Sequence, residues 1–284
     1  MTETALSQAK FPKHFSFEFS APKTADAEDK IKKVHDRLLE FNPHFFSVTY
    51  GAGGSTKDGT KQAVLDLTAA GSSVAPHLSF GGDPPEKIEA LINEYKDAGV
   101  KRVVALRGDI PSGVGKRQMA YAADLVKFIR EKTGDHFHIE VAAYPEVHPE
   151  SKNVETDINY FKAKVDEGAD SAITQYFYSA EAYFRFVDAC AAKGVDIPIV
   201  PGIMPITNYQ GLVRFSTLCG AEIPRWIEKH LQHYEDDAAS LKAFGDDVVT
   251  RLCQQLLDGG APGLHFYTLN QSLPSVRIWR NLGL

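Results

Sequence analysis

Cysteine is scarce in this sequence: Cys190, Cys219 and Cys253 are the only three, far apart and outside any CxxC pair. So sparse and odd a set supports neither a disulfide framework nor a zinc ribbon, and it suits a reducing compartment. No stretch approaches the roughly 18 consecutive apolar residues of a membrane helix. The first fifteen residues, Met1 to Phe15, contain no apolar run of the secretory type. Positive charge is in deficit, with 31 Lys+Arg against 37 Asp+Glu and a net charge of −6. That balance argues against nucleic acid or an anionic membrane as the main partner. Together these absences predict a cytoplasmic protein.

Apolar residues are plentiful. At 284 residues and 43% hydrophobic, the chain can bury a sizeable core. No linker, low-complexity segment or composition shift divides it. Short β-type runs alternate with amphipathic stretches throughout. Strands are expected at His14–Ser20, Phe45–Gly51, Ser73–Phe80, Arg102–Asp109, His138–Pro145, Ala172–Tyr178, Ile197–Ile203 and Leu264–Leu269. The clearest helix start is Asp83-Pro84-Pro85, with Asp83 as the expected N-cap and Ile88, Leu91, Ile92 and Tyr95 on one face. An extra helical stretch around Pro224–Leu257 precedes the last strand. Eight strand–helix units predict a single α/β domain over residues 1–284, a (β/α)8 TIM barrel. The alternative, an open doubly wound sheet, calls for a glycine-rich turn after the first strand, where this chain has Ser20-Ala-Pro-Lys23.

In such barrels the working residues collect at the carboxyl ends of the strands. Those ends carry Glu18, Thr49, His77, Arg107, Asp109, Tyr144 with nearby His148, and Gln175. In Phe15-Ser-Phe17-Glu18-Phe19, alternation sends the three phenylalanines to the helix side and Glu18 inward. An inward carboxylate is costly to ionise, so it either gains a raised pKa, as a general acid needs, or pairs with a neighbouring Arg or Lys. Arg107 and Asp109 could equally pair with one another or take part in chemistry. No strand end carries a lysine, which disfavours a Schiff-base mechanism. His136-x-His138 falls at the opposite end of its strand and reads as structural, and His230-x-x-His233 as a solvated helix face. No metal site is expected. Gly51-Ala-Gly-Gly-Ser-Thr56 and Gly113-Val-Gly-Lys116 complete neither a dinucleotide fingerprint nor a P-loop.

Taken together, the segments at the strand ends resemble the methylenetetrahydrofolate reductase family in its compact bacterial form. The likeness rests on Phe17-Glu-Phe19, Phe46-Ser-Val-Thr-Tyr-Gly-Ala-Gly-Gly54, Pro76-His-Leu78, Ala105-Leu-Arg-Gly-Asp109, Ala142-Ala-Tyr-Pro-Glu-Val-His-Pro-Glu150, Thr174-Gln175, Pro201-Gly-Ile-Met-Pro205 and His265-Phe-Tyr-Thr-Leu-Asn270. It implies an FAD-binding barrel that takes a hydride from NADH or NADPH and passes it, in ping-pong fashion, to methylenetetrahydrofolate. It further implies Glu18 as general acid and Asp109 as the group that holds the pterin and tunes the flavin. Thr49, Tyr50, Ala52, His77, Arg107, Gly108, Asp109, Tyr121, Ala122, Tyr144, His148, Asp157 and Lys164 fall on cofactor contacts. Asp109, Gln175, Phe215 and Gln271 fall on substrate contacts. Gln271 and Gly211 stand where some relatives have arginine and glutamine, and Tyr160 and Ala163 replace polar residues near the cofactor's phosphates and adenosine. A homo-oligomer, tetramer or dimer, is also implied, as is the lack of a regulatory domain.

Overall fold

A computed structural model describes residues 7–50, 57–80, 83–108 and 121–284. In chain order it contains β1 (His14–Phe19), α1 (Ala25–Leu39), β2 (Phe45–Val48), α2 (Lys57–Ala69), β3 (Val74–Leu78), α3 (Pro85–Asp97) and β4 (Arg102–Ala105). There follow α4 (Ala122–Thr133), β5 (His138–Ala143), α5 (Val154–Asp166), β6 (Ser171–Thr174), α6 (Ala180–Ala192), β7 (Ile199–Val200) and β8 (Gly202–Ile203). The chain continues through α7 (Tyr209–Cys219), α8 (Arg225–His233), α9 (Ala238–Asp258), β9 (Gly263–Tyr267) and α10 (Ser272–Asn281). The hydrogen-bonded strand order is β7-β6-β5-β4-β3-β2-β1-β9-β8. Sequential parallel strands with helical crossovers are the topology of the (β/α)8 barrel class.

Among the described residues, nine strands serve eight positions because the expected run over Ile197–Ile203 breaks at Pro201. Proline has no N–H to give to a ladder. Its carbonyl still accepts from His265 N at 2.9 Å, and β8 pairs with β9 through Gly202↔His265 and Ile203↔Phe266. A Cβ on Gly202 would lie 2.1 Å from Thr174 O and 2.7 Å from the Tyr267 ring, so only glycine fits.

By internal contacts the chain divides into two compact units. One comprises Ser16–Ala142 and Tyr160–Ala172. Its β1, β2 and β3 run in parallel with Phe17↔Phe46↔Val74 and Glu18↔Ser47↔Ala75 in register. The first trio faces the helices: Phe17 and Phe19 are buried and stack on Phe46 with ring centroids 6.2 and 5.4 Å apart, and His35 of α1 packs on Phe46 at 4.7 Å. The second trio therefore lies on the opposite face. Helix α3 differs from expectation at its start. Pro84, not Asp83, is the N-cap, and it caps without a side-chain bond, while the Asp83 carboxylate binds Lys57 at the start of α2.

The other unit comprises Met1–Phe15, Ala143–Asn159 and Ile173–Leu284. Here Phe15, half-buried, packs edge-on against Trp279 of α10 at 5.1 Å. The expected helical stretch before the last strand is present as α8 and α9, separated where Asp237 accepts from the amides of Ala239 and Ser240 to cap α9. His230 of α8 is exposed and stacks on Phe244 at 4.9 Å, as a solvated face would. No helix among the described residues is long and apolar enough to cross a membrane.

Candidate functional site

The candidate residues fall into two sets, one in each unit. Asp109 and Ala52, and the glycine-containing segments around them, lie outside the described residues.

In the unit built on Ser16–Ala142, the strand register decides the geometry. Glu18, Ser47 and Ala75 share a face, and His77, two residues beyond Ala75, shares it too. His77 Nε2 lies 3.3 Å from a Glu18 carboxylate oxygen, with both side chains largely buried, 9% and 16% exposed. An imidazole thus stands beside the inward carboxylate. The two groups approach without hydrogen-bond alignment, and among the described residues His77 Nε2 has no hydrogen-bond partner. A buried, unmatched imidazole nitrogen is costly unless a ligand completes it.

Around this pair the strand ends are fixed by backbone bonds. Thr49 N donates to Phe19 O at 2.9 Å, and Thr49 Oγ1 accepts from Ala21 N at 3.1 Å. Tyr50 has its phenol pushed well above the ordinary range, chiefly by burial and then by the charges of Asp83 and Asp58. It therefore stays a neutral O–H donor. Past β4, Leu106 N continues the ladder to Leu78 O at 2.9 Å. Gly108 turns the chain at φ +70°, with a Cβ there only 2.3 Å from Ser79 Oγ. That position admits glycine alone, and it sets Arg107 at the strand end. Tyr121, 52% exposed, stacks flat on Tyr160, 47% exposed, at 5.5 Å and 19°. Its amide is bound by Asp124 of α4 at 2.9 Å, and Ala122 opens that helix. Lys164 of α5 donates to Ala142 O and lies 5.4 Å from the Phe161 ring. This donor set fits a flavin dinucleotide: an unmatched imidazole nitrogen, the cations Arg107 and Lys164, and an exposed aromatic pair for a planar ring.

In the other unit, Asp157 organises the loop after β5. Its carboxylate accepts from His148 N at 3.1 Å and from Ser151 Oγ at 2.7 Å. His148 Nδ1 accepts from Glu150 N at 3.1 Å, which leaves the proton on Nε2, and its ring meets Tyr144 edge-on at 4.5 Å. Val147 between them sits at φ +71°, a conformation that a β-branched residue enters only under strain. A cavity of about 780 Å3 opens beside this loop, with Tyr144, Glu146, Asp157, Arg185 and Trp226 on its wall. Glu146 accepts from Glu222 N at 2.8 Å, and burial holds its carboxyl above the usual range. Gln175 follows β6; its amide donates to Ala143 O at 2.8 Å, and its Oε1 accepts from Tyr176 N at 3.0 Å. The carboxamide NH2 is then the group it has to offer. Phe215 on α7 is half-exposed, with the Arg214 guanidinium 5.3 Å above its ring. Gln271 is the exposed N-cap of α10, just past the left-handed pair Leu269 and Asn270 at φ +48° and +56°.

Two features escaped sequence reasoning. The Glu18–His77 contact was written in the register of three strands, which no local motif reveals. The strain at Val147 leaves no compositional mark. The histidines read as structural are so: His136 Nε2 bonds Val100 O at 3.1 Å, and His138 Nε2 bonds Ser171 Oγ at 2.5 Å. Among the described residues, no group of three or more His, Cys, Asp and Glu side chains could hold a metal ion.

Fold and site thus define a (β/α)8-barrel protein with a carboxyl–imidazole pair at its strand ends. The sequence profile described as methylenetetrahydrofolate reductase matches residues 3–283. The chain is 38% identical over 281 residues to the 5,10-methylenetetrahydrofolate reductase of Escherichia coli (strain K12), covering 99% of this chain and 94% of that one. It is 41% identical over 270 residues to the enzyme of the same name from Buchnera aphidicola, covering 95% and 91%. The Arabidopsis thaliana protein named methylenetetrahydrofolate reductase (NADH) 1 is 39% identical over 289 residues, matched over 48% of its length. A solved structure from Clostridium thermocellum, described as binding two copies of 5-methyl-5,6,7,8-tetrahydrofolic acid, shares the fold with a TM-score of 0.70 at 16% identity, covering 98% of this chain and 96% of that one. The chain belongs to the methylenetetrahydrofolate reductase family.

Proposed function

We propose that residues 1–284 act as one catalytic domain that reduces methylenetetrahydrofolate to methyltetrahydrofolate with NADH or NADPH, through FAD, in the cytoplasm and as a homo-oligomer. The observation that carries this reading is the Glu18–His77 pair, 3.3 Å apart and largely buried, on a chain of this family. FAD, when bound, supplies the hydride relay between the nicotinamide and the folate.

The chain's own groups do the rest. Thr49, Tyr50, His77, Arg107, Gly108, Tyr121, Ala122 and Lys164, with Tyr144, His148 and Asp157 and the positions Ala52 and Asp109, would hold the cofactor. The stacked Tyr121 and Tyr160 rings offer a flat surface to its adenine. Glu18 carries the proton that opens the five-membered folate ring, with the His77 imidazole beside it. Asp109 would hold the pterin and stabilise the iminium cation formed when the ring opens. Gln175 donates its amide N–H to the folate, Phe215 provides a face on which nicotinamide and folate stack in turn, and Gln271 lies toward the glutamate tail.

Purification tests the reading. The protein should be yellow, its flavin absorbance should bleach with NADH or NADPH, and methylenetetrahydrofolate should restore it. A colourless protein that takes up no added FAD would overturn the proposal.

A further inference from the structure

Between Gln175 and Phe215 the structure contains a tether that neither residue supplies. Tyr176, next to Gln175, is 3% exposed, and its hydroxyl lies 3.0 Å from Ser216 Oγ on α7. Ser216, next to Phe215, is 5% exposed. A helical serine or threonine usually bonds back to the carbonyl four residues earlier, as Thr217 does here to Val213 O at 2.8 Å. Ser216 instead reaches off its helix to the segment after β6. On the same inward face of α7, Leu212 is an apolar anchor, while the buried Tyr209 bonds through its hydroxyl to Glu228 and Gln232 of α8. Apolar contacts tolerate sliding and rotation, whereas a buried hydroxyl pair has one good geometry. The β6 side of the tether is rigid as well. Thr174 Oγ1 accepts from Gly202 N at 2.9 Å, Thr174 O accepts from Tyr267 Oη at 2.7 Å, and the Gln175 side chain is bound to Tyr176 N.

We infer that Tyr176 and Ser216 are a positioning pair: their hydrogen bond sets the rotation of α7 against the end of β6, and so the spacing between the amide of Gln175 and the ring of Phe215. The inference rests on the proposed assignment of those two residues to the folate. A folate uses both, so it feels the spacing. A nicotinamide that stacks on Phe215 alone feels it less. The pair therefore acts on folate specificity and not on the chemistry of proton or hydride transfer.

The test compares the flavin-loaded wild type with Tyr176→Phe, Ser216→Ala, the double variant and Ser216→Thr, which keeps the hydroxyl. Each single variant should raise KM for methylenetetrahydrofolate about five- to tenfold, the loss expected when a displaced Gln175 amide gives up its one hydrogen bond to the folate. Turnover at saturation should change less than twofold, and KM for NADH should change less than that for the folate. Both variants lose the Tyr176–Ser216 bond, and Tyr176→Phe also loses the hydroxyl's contact with Cys219 of α7, so the double should be no worse than Tyr176→Phe alone, and Ser216→Thr should recover most of the affinity. A fall in thermal midpoint with an unchanged folate KM would make the pair merely structural and overturn the inference. So would single effects that multiply in the double variant. A wild type that neither binds nor turns over methylenetetrahydrofolate would overturn the proposed function itself, and the inference with it.

Discussion

Replacing Arg102 with methionine should destabilise the protein through Glu140, a residue with no part in the proposed chemistry. Glu140 points into the unit from β5 and is 2% exposed, and its carboxylate is bound by the Arg102 guanidinium of β4, whose side chain is 12% exposed. His138 stands 3.5 Å away, and His44 Nε2 contacts the other side of the guanidinium at 3.0 Å. Burial alone would raise the Glu140 carboxyl, but the His138 hydrogen bond and the charges of Arg102 and His138 outweigh it and hold the pKa down to about 2. A carboxyl held at about 2 rather than near 4.5 stabilises the folded chain by about 3 kcal/mol at neutral pH. Removing one partner of a buried pair costs about 3–5 kcal/mol by a separate route, because the survivor is left charged and unmatched. The folded-state value is depressed, so this stability is present above about 4.5 and disappears as the pH falls toward 2. Urea unfolding of wild type and Arg102→Met at pH 7 should differ by about 3 kcal/mol, and the gap should shrink as the buffer is acidified through that window. Adding Glu140→Gln to Arg102→Met should restore part of the loss, since no charge then remains to be matched. A single variant within 0.5 kcal/mol of wild type at pH 7, or a double variant no better than the single, would refute the reasoning.

Two further outcomes are expected. Glu18→Gln in folded, flavin-loaded protein should leave reduction by NADH intact in stopped flow, while the folate half-reaction slows by about 10²–10⁴-fold, because only that half needs the proton; equal loss in both halves would remove Glu18 from its assigned role. Val147→Gly should raise stability by about 1 kcal/mol, seen as a higher thermal midpoint, by relieving a β-branched residue held at φ +71°.

Much of the architecture was legible because it is local. The Phe15-Phe17-Phe19 alternation placed Glu18 on the inner face, and the Gly and Pro punctuation placed most strands within a few residues. What was illegible depends on partners distant in sequence. Asp83 has the residue type and position of a helix cap, yet Lys57 takes its carboxylate, so the cap falls to Pro84. Glu140 resembles any strand glutamate until Arg102, 38 residues earlier, is beside it. His77 was recognisable as a residue at a strand end, but its pairing with Glu18 needed the register of β1, β2 and β3. Pro201 stood in plain view within an expected strand, and the break followed from its missing N–H.

The alternation in β1 has a consequence for errors in folding. If β1 docked one residue out of register, Glu18 would turn toward α1 and a phenylalanine would turn into the site. The same slip would withdraw Phe17 and Phe19 from their stack on Phe46 and force a carboxylate into that apolar layer. A misplaced acid therefore cannot coexist with an intact core. The strand proofreads its own chemistry: a chain that has buried its phenylalanines has, by that act, already delivered Glu18 to His77.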